Sequence, residues 1–271
     1  MEYKMIVLDM DDTLLRDDHT ISDRTKIALD KVQQKGVKVV LASGRPAFAM
    51  KSTAKELGLD KYESYIVSFN GATITDCKTD ETIFERSLSK DIAHLLYDYS
   101  KEHNVHIHTY LNDDIITEKN NKYTDIESDI TGMEIITIDN FKKAVKGNVI
   151  KVLMLEDPEY LKKVESKLKP KLKDKLNMTI SKPFFLEFMD KGIDKGTTLS
   201  RLIHKLDIKQ EEVMAFGDSY NDLSMIEFAG LGVAMGNAPE DIKSKSDLVT
   251  DCNMSDGIAK VLERLILNPI N

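Results

Sequence analysis

Short, unbroken apolar runs separated by amphipathic segments mark the first part of the chain. The runs are YKMIVLDM (3–10), VKVVLA (37–42) and SYIVSF (64–69). Runs of this kind are typical of strands buried on both faces of a parallel sheet. Between the first two runs, Ser22 is placed to cap a helix and Gly36 to end it. The pattern predicts a parallel sheet covered by helices, with ligands at the carboxyl ends of its strands.

A different pattern begins near residue 71. The stretch NGATITDCKTDETIFERSL (70–88) reads as two short strands around a polar turn, and further helix and strand patterns follow within 89–118 and 148–190. Alternation of helix and strand resumes at GIDKGTTLSRLIHKL (192–206). We therefore predict an α/β protein with a Rossmann-like parallel-sheet core domain and an inserted α+β domain. The predicted bounds are 1–82 and 190–271 for the core and 83–189 for the insertion.

The chain is acidic and poor in cysteine. Its 271 residues carry 38 basic and 46 acidic side chains, a formal charge of −8, which argues against nucleic acid or an anionic membrane as a partner. Cys77 and Cys252 have neither paired nor metal-ligand spacing, which fits a reducing compartment, so we predict a cytoplasmic protein. The N-terminal apolar run is too short for a signal peptide, and no run of about 18 apolar residues occurs.

Polar clusters occur where the predicted strands end or the next helices begin. They are Asp9/Asp11/Thr13, Ser43/Gly44/Arg45, Lys195 and Gly217/Asp218/Asn221/Asp222. Carboxylates from two different strands, Asp9 and Asp218, are hard oxygen ligands suited to Mg²⁺. Ser43, Lys195 and backbone N–H groups at helix starts supply donors to phosphoryl oxygens.

This set of groups predicts phosphoryl transfer to a carboxylate. Asp9 can attack phosphorus when a metal ion and Lys195 offset the repulsion between two anions. Asp11, two residues later, reaches the same substrate. It is the candidate general acid for the leaving oxygen and the candidate base for the incoming water.

Four motifs carry a resemblance to a known family. DMDDT (9–13), SGR (43–45), the lysine of DKG (194–196) and GDSYND (217–222), in this order, resemble the motifs of the haloacid dehalogenase superfamily of phosphatases. The insertion between the second and third motifs is similar to the type IIB cap of the Cof-type subfamily, which includes bacterial sugar-phosphate phosphatases. The likeness covers essentially the whole chain.

The resemblance implies a role for each matching residue. Asp9 would be the nucleophile and a Mg²⁺ ligand, Asp11 the acid/base with its backbone carbonyl on the metal, and Asp218 the third protein ligand. Asp222 would support the metal and the lysine. The residues implied to hold the phosphoryl group are Ser43, Gly44, Lys195 and Asn221. Those implied to lie near the substrate at the cap interface are Arg45 and Asn70.

One position departs from the family pattern. The residue after the second aspartate is usually glycine, and here it is Asp12. Glycine there lets the backbone approach closely, so Asp12 needs either an ordinary backbone conformation or some strain. We expect its side chain to point away from the site and to cap the following turn.

Several features have simpler interpretations. An aspartate pair after a strand is often a turn or a helix cap, and Asn70-Gly71 is equally good as a plain turn. His106, His108 and Tyr110 share one face of a predicted strand, which we interpret as a sheet face with exposed histidines rather than a metal site. Glu187, in FFLEFMD (184–190), belongs to core and hinge of the insertion or faces the cleft.

The leading functional hypothesis is a Mg²⁺-dependent phosphatase for small phosphorylated metabolites, chiefly sugar phosphates, with the cap closing over the substrate to exclude water. A phosphotransferase or phosphomutase would use the same aspartyl-phosphate chemistry, and only the product distinguishes it. A non-enzymatic phosphate-responsive module also pairs strand-end carboxylates with a lysine, but it needs neither Asp11 nor a large insertion. The sequence leaves the physiological substrate and the oligomeric state open.

Overall fold

The protein is described by a computed structural model covering residues 3–269. Its strands are β1 (Met5–Leu8), β2 (Lys38–Ala42), β3 (Tyr65–Ser68), β4 (Thr73–Asp76), β5 (Thr82–Glu85), β6 (His106–Leu111), β7 (Asp114–Thr117), β8 (Ile135–Thr137), β9 (Val152–Leu155), β10 (Leu176–Lys182), β11 (Phe185–Asp190), β12 (Val213–Gly217), β13 (Leu231–Ala234) and β14 (Leu248–Val249). Its α-helices are α1 (Asp23–Gln34), α2 (Ala47–Glu56), α3 (Lys90–Glu102), α4 (Lys122–Thr131), α5 (Phe141–Ala144), α6 (Pro158–Leu172), α7 (Lys195–Lys205), α8 (Leu223–Phe228), α9 (Glu240–Lys243) and α10 (Gly257–Leu262). None of these helices combines the length and apolar character needed to cross a bilayer.

The chain forms two compact units. Within the described residues, the core unit contains 3–85 and 194–269, and the inserted unit contains 86–193. The predicted boundary at residue 83 falls inside β5, which pairs with β4 in the sheet of the core unit. The α/β fold class, with a parallel core sheet and an α+β insertion, is confirmed.

The core unit is built on an eight-stranded sheet in the order β14-β13-β12-β1-β2-β3-β4-β5. The pairs from β14 to β3 are parallel, and β4 and β5 add an antiparallel edge. Alternate residues of β1 face opposite layers of the core. Ile6 and Leu8 pack with α1 and α10, whereas Met5 and Val7 pack with α7 and α8. Burial on both faces explains why β1 is an unbroken apolar run.

Helix ends in the core unit follow the predicted signals. The Ser22 hydroxyl accepts a hydrogen bond from the Thr25 amide at 3.1 Å and caps α1. Gly36 lies just beyond the end of α1 with a φ of 86°, a conformation that glycine adopts without strain. Pro46 lies directly before the first residue of α2. A proline fits there because a backbone N–H at the start of a helix has no partner within the helix, so its absence costs no hydrogen bond.

The inserted unit is a six-stranded sheet in the order β10-β11-β9-β6-β7-β8. One face carries an apolar core, in which Ile107, Met154 and Leu186 pack with α3 and α6. Three elements of this unit, α4, β8 and α5, lie in a stretch for which the sequence pattern predicted no element. The buried residues of α4 are all polar (Thr124, Glu127, Thr131), so the sequence has no apolar stripe that would predict this helix.

The opposite face of this sheet corrects one expectation. His108 is fully buried and Tyr110 is buried, although we expected histidines exposed on this face; His106 is half-buried. Helix α4 packs on this face, since the Tyr110 hydroxyl donates a hydrogen bond to the buried Glu127. The prediction of an open face was wrong because α4 was not predicted. Among residues 3–269, neither ring nitrogen of His108 has a hydrogen-bond partner.

Candidate active site

The first part of the site is the end of β1. The Asp9 amide donates to the Phe216 carbonyl at 3.1 Å and so ties the end of β1 to β12. The chain then makes one irregular helical turn over Met10–Leu14, in which Asp11 is extended with φ −68° and ψ 129°. The Leu14 amide closes this turn on the Asp9 carbonyl at 3.3 Å. The wide turn lets two carboxylates leave the same strand end.

Asp12 adopts a left-handed backbone conformation, with φ 60° and ψ 4°. Its side chain is exposed, as expected, and its carbonyl accepts a hydrogen bond from the Asn237 side chain at 2.8 Å. The expected cap is absent, since its carboxylate makes no hydrogen bond within the described part of the chain. Glycine would occupy this conformation without strain, so Asp12 carries the strain that the departure from the family pattern implied.

A buried lysine joins two carboxylates. Asp194 caps α7 by accepting a hydrogen bond from the Thr197 amide at 2.7 Å, which places Lys195 in the first turn. The fully buried Lys195 ammonium donates to Asp9 and to Asp222, each at 2.5 Å. Burial alone would lower the pKa of Lys195, but the two carboxylates outweigh burial and raise the pKa. The lysine therefore remains charged.

The end of β12 supplies the remaining carboxylates. One oxygen of Asp222 is bonded to Lys195, and the other accepts the amides of Asp218 and Ser219 at 3.0 Å each. Gly217 permits this close turn, because a Cβ atom there would lie 2.4 Å from the Cβ of Asp222. One oxygen of Asp218 accepts the Thr13 hydroxyl at 2.6 Å.

These carboxylates form a group suited to a cation. Ligand oxygens of Asp9, Asp218 and Asp222 lie within 4.8 Å of one another. Burial, followed by the charge of Asp222, raises the pKa of Asp9 well above its ordinary value, although Lys195 opposes the shift. Burial also raises the pKa of Asp218 to about 7. A divalent cation would relieve this excess of negative charge, so the residues fit Mg²⁺.

The ends of β2 and β3 hold the second motif. The buried Ser43 donates its amide to the Val67 carbonyl and accepts the Asn70 amide on its own carbonyl, both at 2.9 Å. The Asn221 side chain donates to the Asn70 side chain at 3.0 Å. A Cβ atom on Gly44 would lie 3.3 Å from the Asn70 amide group, so these two residues are in close contact.

The predicted residues thus fall into three contact groups just beyond the ends of four adjacent strands, β12, β1, β2 and β3, with Lys195 contributed by the first turn of α7. The groups are Asp9/Lys195/Asp222 with Asp218 and Thr13, Asp11 with Arg45, and Ser43/Gly44 with Asn70 and Asn221. Sequence reasoning missed Asn237, which holds the carbonyl of Asp12. It follows the apolar run LGVAMG (231–236), so another polar residue beyond a strand end was the available signal.

A parallel sheet whose strand ends hold an acidic, lysine-paired cluster is the arrangement expected of an enzyme that handles phosphate groups. A family model described as haloacid dehalogenase-like hydrolase matches residues 6–262, and the chain belongs to that family. The predicted resemblance is confirmed, and the protein is a phosphatase.

Individual relatives are similar over nearly their whole length. The chain is 33% identical to the 5-amino-6-(5-phospho-D-ribitylamino)uracil phosphatase YcsE of Bacillus subtilis, covering 98% of this chain and 97% of that protein. A crystal structure of a haloacid dehalogenase-like hydrolase from Bacteroides thetaiotaomicron matches with a TM-score of 0.91 and 39% identity, covering 98% and 100% of the two chains. The subclass IIB sugar phosphatase BT4131 matches with a TM-score of 0.81 and 28% identity, covering 96% and 98%.

Proposed function

We propose that this phosphatase hydrolyses phosphate monoesters of small metabolites, sugar phosphates first among them, through an aspartyl-phosphate on Asp9. The observation that carries the proposal is the buried contact of Lys195 with Asp9 and Asp222 at 2.5 Å, next to Asp218. Such a site combines a fixed carboxylate nucleophile with a fixed positive charge that reduces its repulsion from an anionic ester.

The residues divide the chemistry into two steps. In the first, a carboxylate oxygen of Asp9 forms a bond to phosphorus. The ester P–O bond breaks, and its electron pair goes to the leaving oxygen, which takes a proton from Asp11. In the second, water gives a proton to Asp11 and attacks phosphorus. The acyl-phosphate P–O bond breaks, and its electron pair returns to Asp9.

Other groups hold the phosphoryl oxygens and the metal. Ser43, Gly44, Asn221 and Lys195 would donate to phosphoryl oxygens in this proposal. Asp9, Asp218 and the backbone carbonyl of Asp11 would hold Mg²⁺, which supplies charge neutralisation when bound. Asp222 holds the lysine and the start of the turn after β12, because both of its oxygens already accept hydrogen bonds.

Two similarities support a phosphorylated polyol or sugar as substrate. The name of YcsE describes a phosphatase for a phosphorylated ribityl compound, and BT4131 is described as a sugar phosphatase. We further propose that the inserted unit selects the substrate, because the four motifs lie in the core unit.

The first experiment measures phosphate release from a panel of sugar phosphates, nucleotides, pyridoxal phosphate and flavin mononucleotide, with Mg²⁺ or with chelator. Asp9→Asn should lower kcat by at least about 10³-fold, whereas Asp23→Asn, at an exposed position of α1, should leave it unchanged. Turnover that survives chelation or the loss of the Asp9 carboxylate would contradict the mechanism. Phosphate recovered on a second hydroxyl compound, instead of as inorganic phosphate, would identify a transferase.

A further inference from the structure

Arg45 and Asp11 form a two-point ion pair. The Arg45 Nε atom donates to Asp11 Oδ2 at 2.9 Å, and Nη2 donates to Oδ1 at 2.5 Å. Two parallel hydrogen bonds fix the plane of a carboxylate as well as its position, which a single contact does not. About half of the Asp11 side chain is exposed (47%), so the pair contributes little to stability and its effect is chiefly geometric.

The backbone of Arg45 is held from both sides. Its amide donates to the Ser43 hydroxyl at 3.2 Å, and its carbonyl accepts the Phe69 amide at 3.0 Å. Pro46 follows, which restricts Arg45 to extended backbone conformations. Phe69 has a φ of 50°, an unusual value for a bulky residue, yet the turn that contacts Arg45 retains it. The backbone from which the Arg45 guanidinium extends is therefore fixed in position.

Asp11, by contrast, has little else to orient it. It lies in the irregular turn after β1, between the buried Met10 and the left-handed Asp12. Across residues 3–269 its carboxylate has no other side-chain hydrogen-bond partner. The direction of the carboxylate is thus set by Arg45.

We propose that Arg45 is a positioning residue for Asp11 rather than a ligand of the phosphoryl group, and that its two hydrogen bonds aim the carboxylate that exchanges protons with the leaving oxygen and with water. This inference rests on the proposed function. If Arg45 instead bound the phosphoryl group, its loss would weaken every substrate alike. If it aims Asp11, its loss matters most where proton donation matters most, with a poor leaving group.

The test compares an alkyl phosphate with p-nitrophenyl phosphate, whose leaving group needs little proton donation. In single turnovers that follow release of the leaving group, and so report only the first step, Arg45→Ala should lower the rate with the alkyl ester about tenfold more than with the aryl ester, with the half-saturating substrate concentration changed less than about threefold for both. Arg45→Lys keeps the charge but loses the two-point geometry, so it should not restore the alkyl activity. In an Asp11→Asn background, Arg45→Ala should have no further effect on the alkyl ester.

Release of p-nitrophenol in a single turnover, which needs no proton from Asp11, shows that each variant is folded, and Arg264→Ala, at an exposed position, should leave the rates with both esters unchanged. Equal losses on the two esters, a raised KM for both, or effects that multiply with Asp11→Asn would overturn the assignment of Arg45 alone. Wild-type protein that hydrolyses neither ester would overturn this inference together with the proposed function.

Discussion

Two buried polar clusters, one in each unit, are organised differently. In the core unit, Lys195 donates to two carboxylates, and a third carboxylate, Asp218, lies beside them. In the inserted unit, Lys151 donates to Glu187 at 3.2 Å and lies over the Tyr110 ring. The neighbouring His108 has no hydrogen-bond partner for either ring nitrogen in the described part of the chain. The first cluster has an excess of negative charge, and the second contains an unpaired neutral group.

The difference separates a site for chemistry from a polar interior. Excess negative charge at the ends of parallel strands favours the binding of a cation, and the bound cation can in turn bind an anionic substrate. A buried imidazole without partners favours neither and only costs desolvation energy. Burial of polar groups alone therefore does not identify an active site. Uncompensated charge at a strand end does.

The largest expected effect on stability comes from the substitution Lys195→Met in the first cluster. Two buried carboxylates would lose the ammonium that lies 2.5 Å from each, so we expect the free energy of unfolding to fall by about 3–5 kcal/mol. Chemical denaturation in the presence of chelator would measure the change. Lys205→Met, at an exposed position of the same helix, should stay within about 0.5 kcal/mol of wild type. A loss below about 1 kcal/mol for Lys195→Met would contradict the interpretation of the cluster.

The second prediction concerns the binding of a cation by the first cluster. Mg²⁺ should stabilise the protein by about 2.7 kcal/mol at a hundredfold excess over its Kd, and Asp218→Asn should remove most of this effect. Because the pKa of Asp218 is raised to about 7, a proton competes with the metal below that pH, and Mg²⁺ affinity should rise between pH 6 and pH 8.

Melting curves with and without Mg²⁺ at several pH values measure both effects. Asp23→Asn serves as the control, since this exposed aspartate lies outside the cluster. Equal stabilisation of wild type and Asp218→Asn by Mg²⁺ would show that the metal binds elsewhere.

The first cluster was largely predictable from the sequence, and the second was not. Apolar runs that end in Asp9 and Asp218 indicate parallel strands buried on both faces, and parallel topology brings their carboxyl ends to one edge. His108 and Tyr110 were correctly placed on one face of a strand, but their burial depends on α4, whose buried residues are polar. Periodicity detects apolar stripes, so it cannot detect a helix that docks through Thr124 and Glu127.

The pairing of Asp11 with Arg45 was also beyond the sequence. Both residues were predicted to lie near the substrate, but their contact depends on the wide turn after β1 and on the direction in which Arg45 leaves the end of β2. Spacing along the chain places a residue at a strand end, and backbone conformation decides which neighbour its side chain contacts. The positive φ of Phe69 belongs to the same class of detail, whereas strain at Asp12 was one of the two outcomes that the sequence allowed.

The third prediction tests the cost of the unpaired imidazole. Burial lowers the pKa of His108 to about 3, and the nearby charge of Lys151 contributes. Between about pH 6.5 and pH 3 the unfolded chain binds a proton that the folded chain does not, so this group makes stability fall as pH falls. At pH 5 the loss from His108 should be about 2 kcal/mol relative to pH 7.

His108→Leu should therefore flatten the dependence of the unfolding free energy on pH by about 2 kcal/mol between pH 7 and pH 5. The full chain is denatured with urea at both pH values and followed by circular dichroism. Ile107→Val, at the neighbouring buried position, should cost about 1 kcal/mol at both pH values and leave the slope unchanged. An unchanged slope in His108→Leu would mean that the ring is protonated or paired in the folded protein.

The smallest expected effect on stability concerns backbone strain. Residues other than glycine with positive φ lie in different kinds of place in the two units. In the inserted unit, Asn112 and Asp113 have positive φ in the two-residue turn between β6 and β7, where hairpin geometry requires it. In the core unit, Asp12 has a φ of 60° beside the acidic cluster.

The substitution Asp12→Gly relieves this strain but makes the unfolded chain more flexible, so the net change in the free energy of unfolding should be below about 1 kcal/mol. Asp12→Val should cost more than Asp12→Gly, about 2 kcal/mol, because a β-branched residue resists the left-handed conformation. Urea denaturation of the two variants decides the matter: equal stability would mean that the turn relaxes to an ordinary φ and that Asp12 stores no strain.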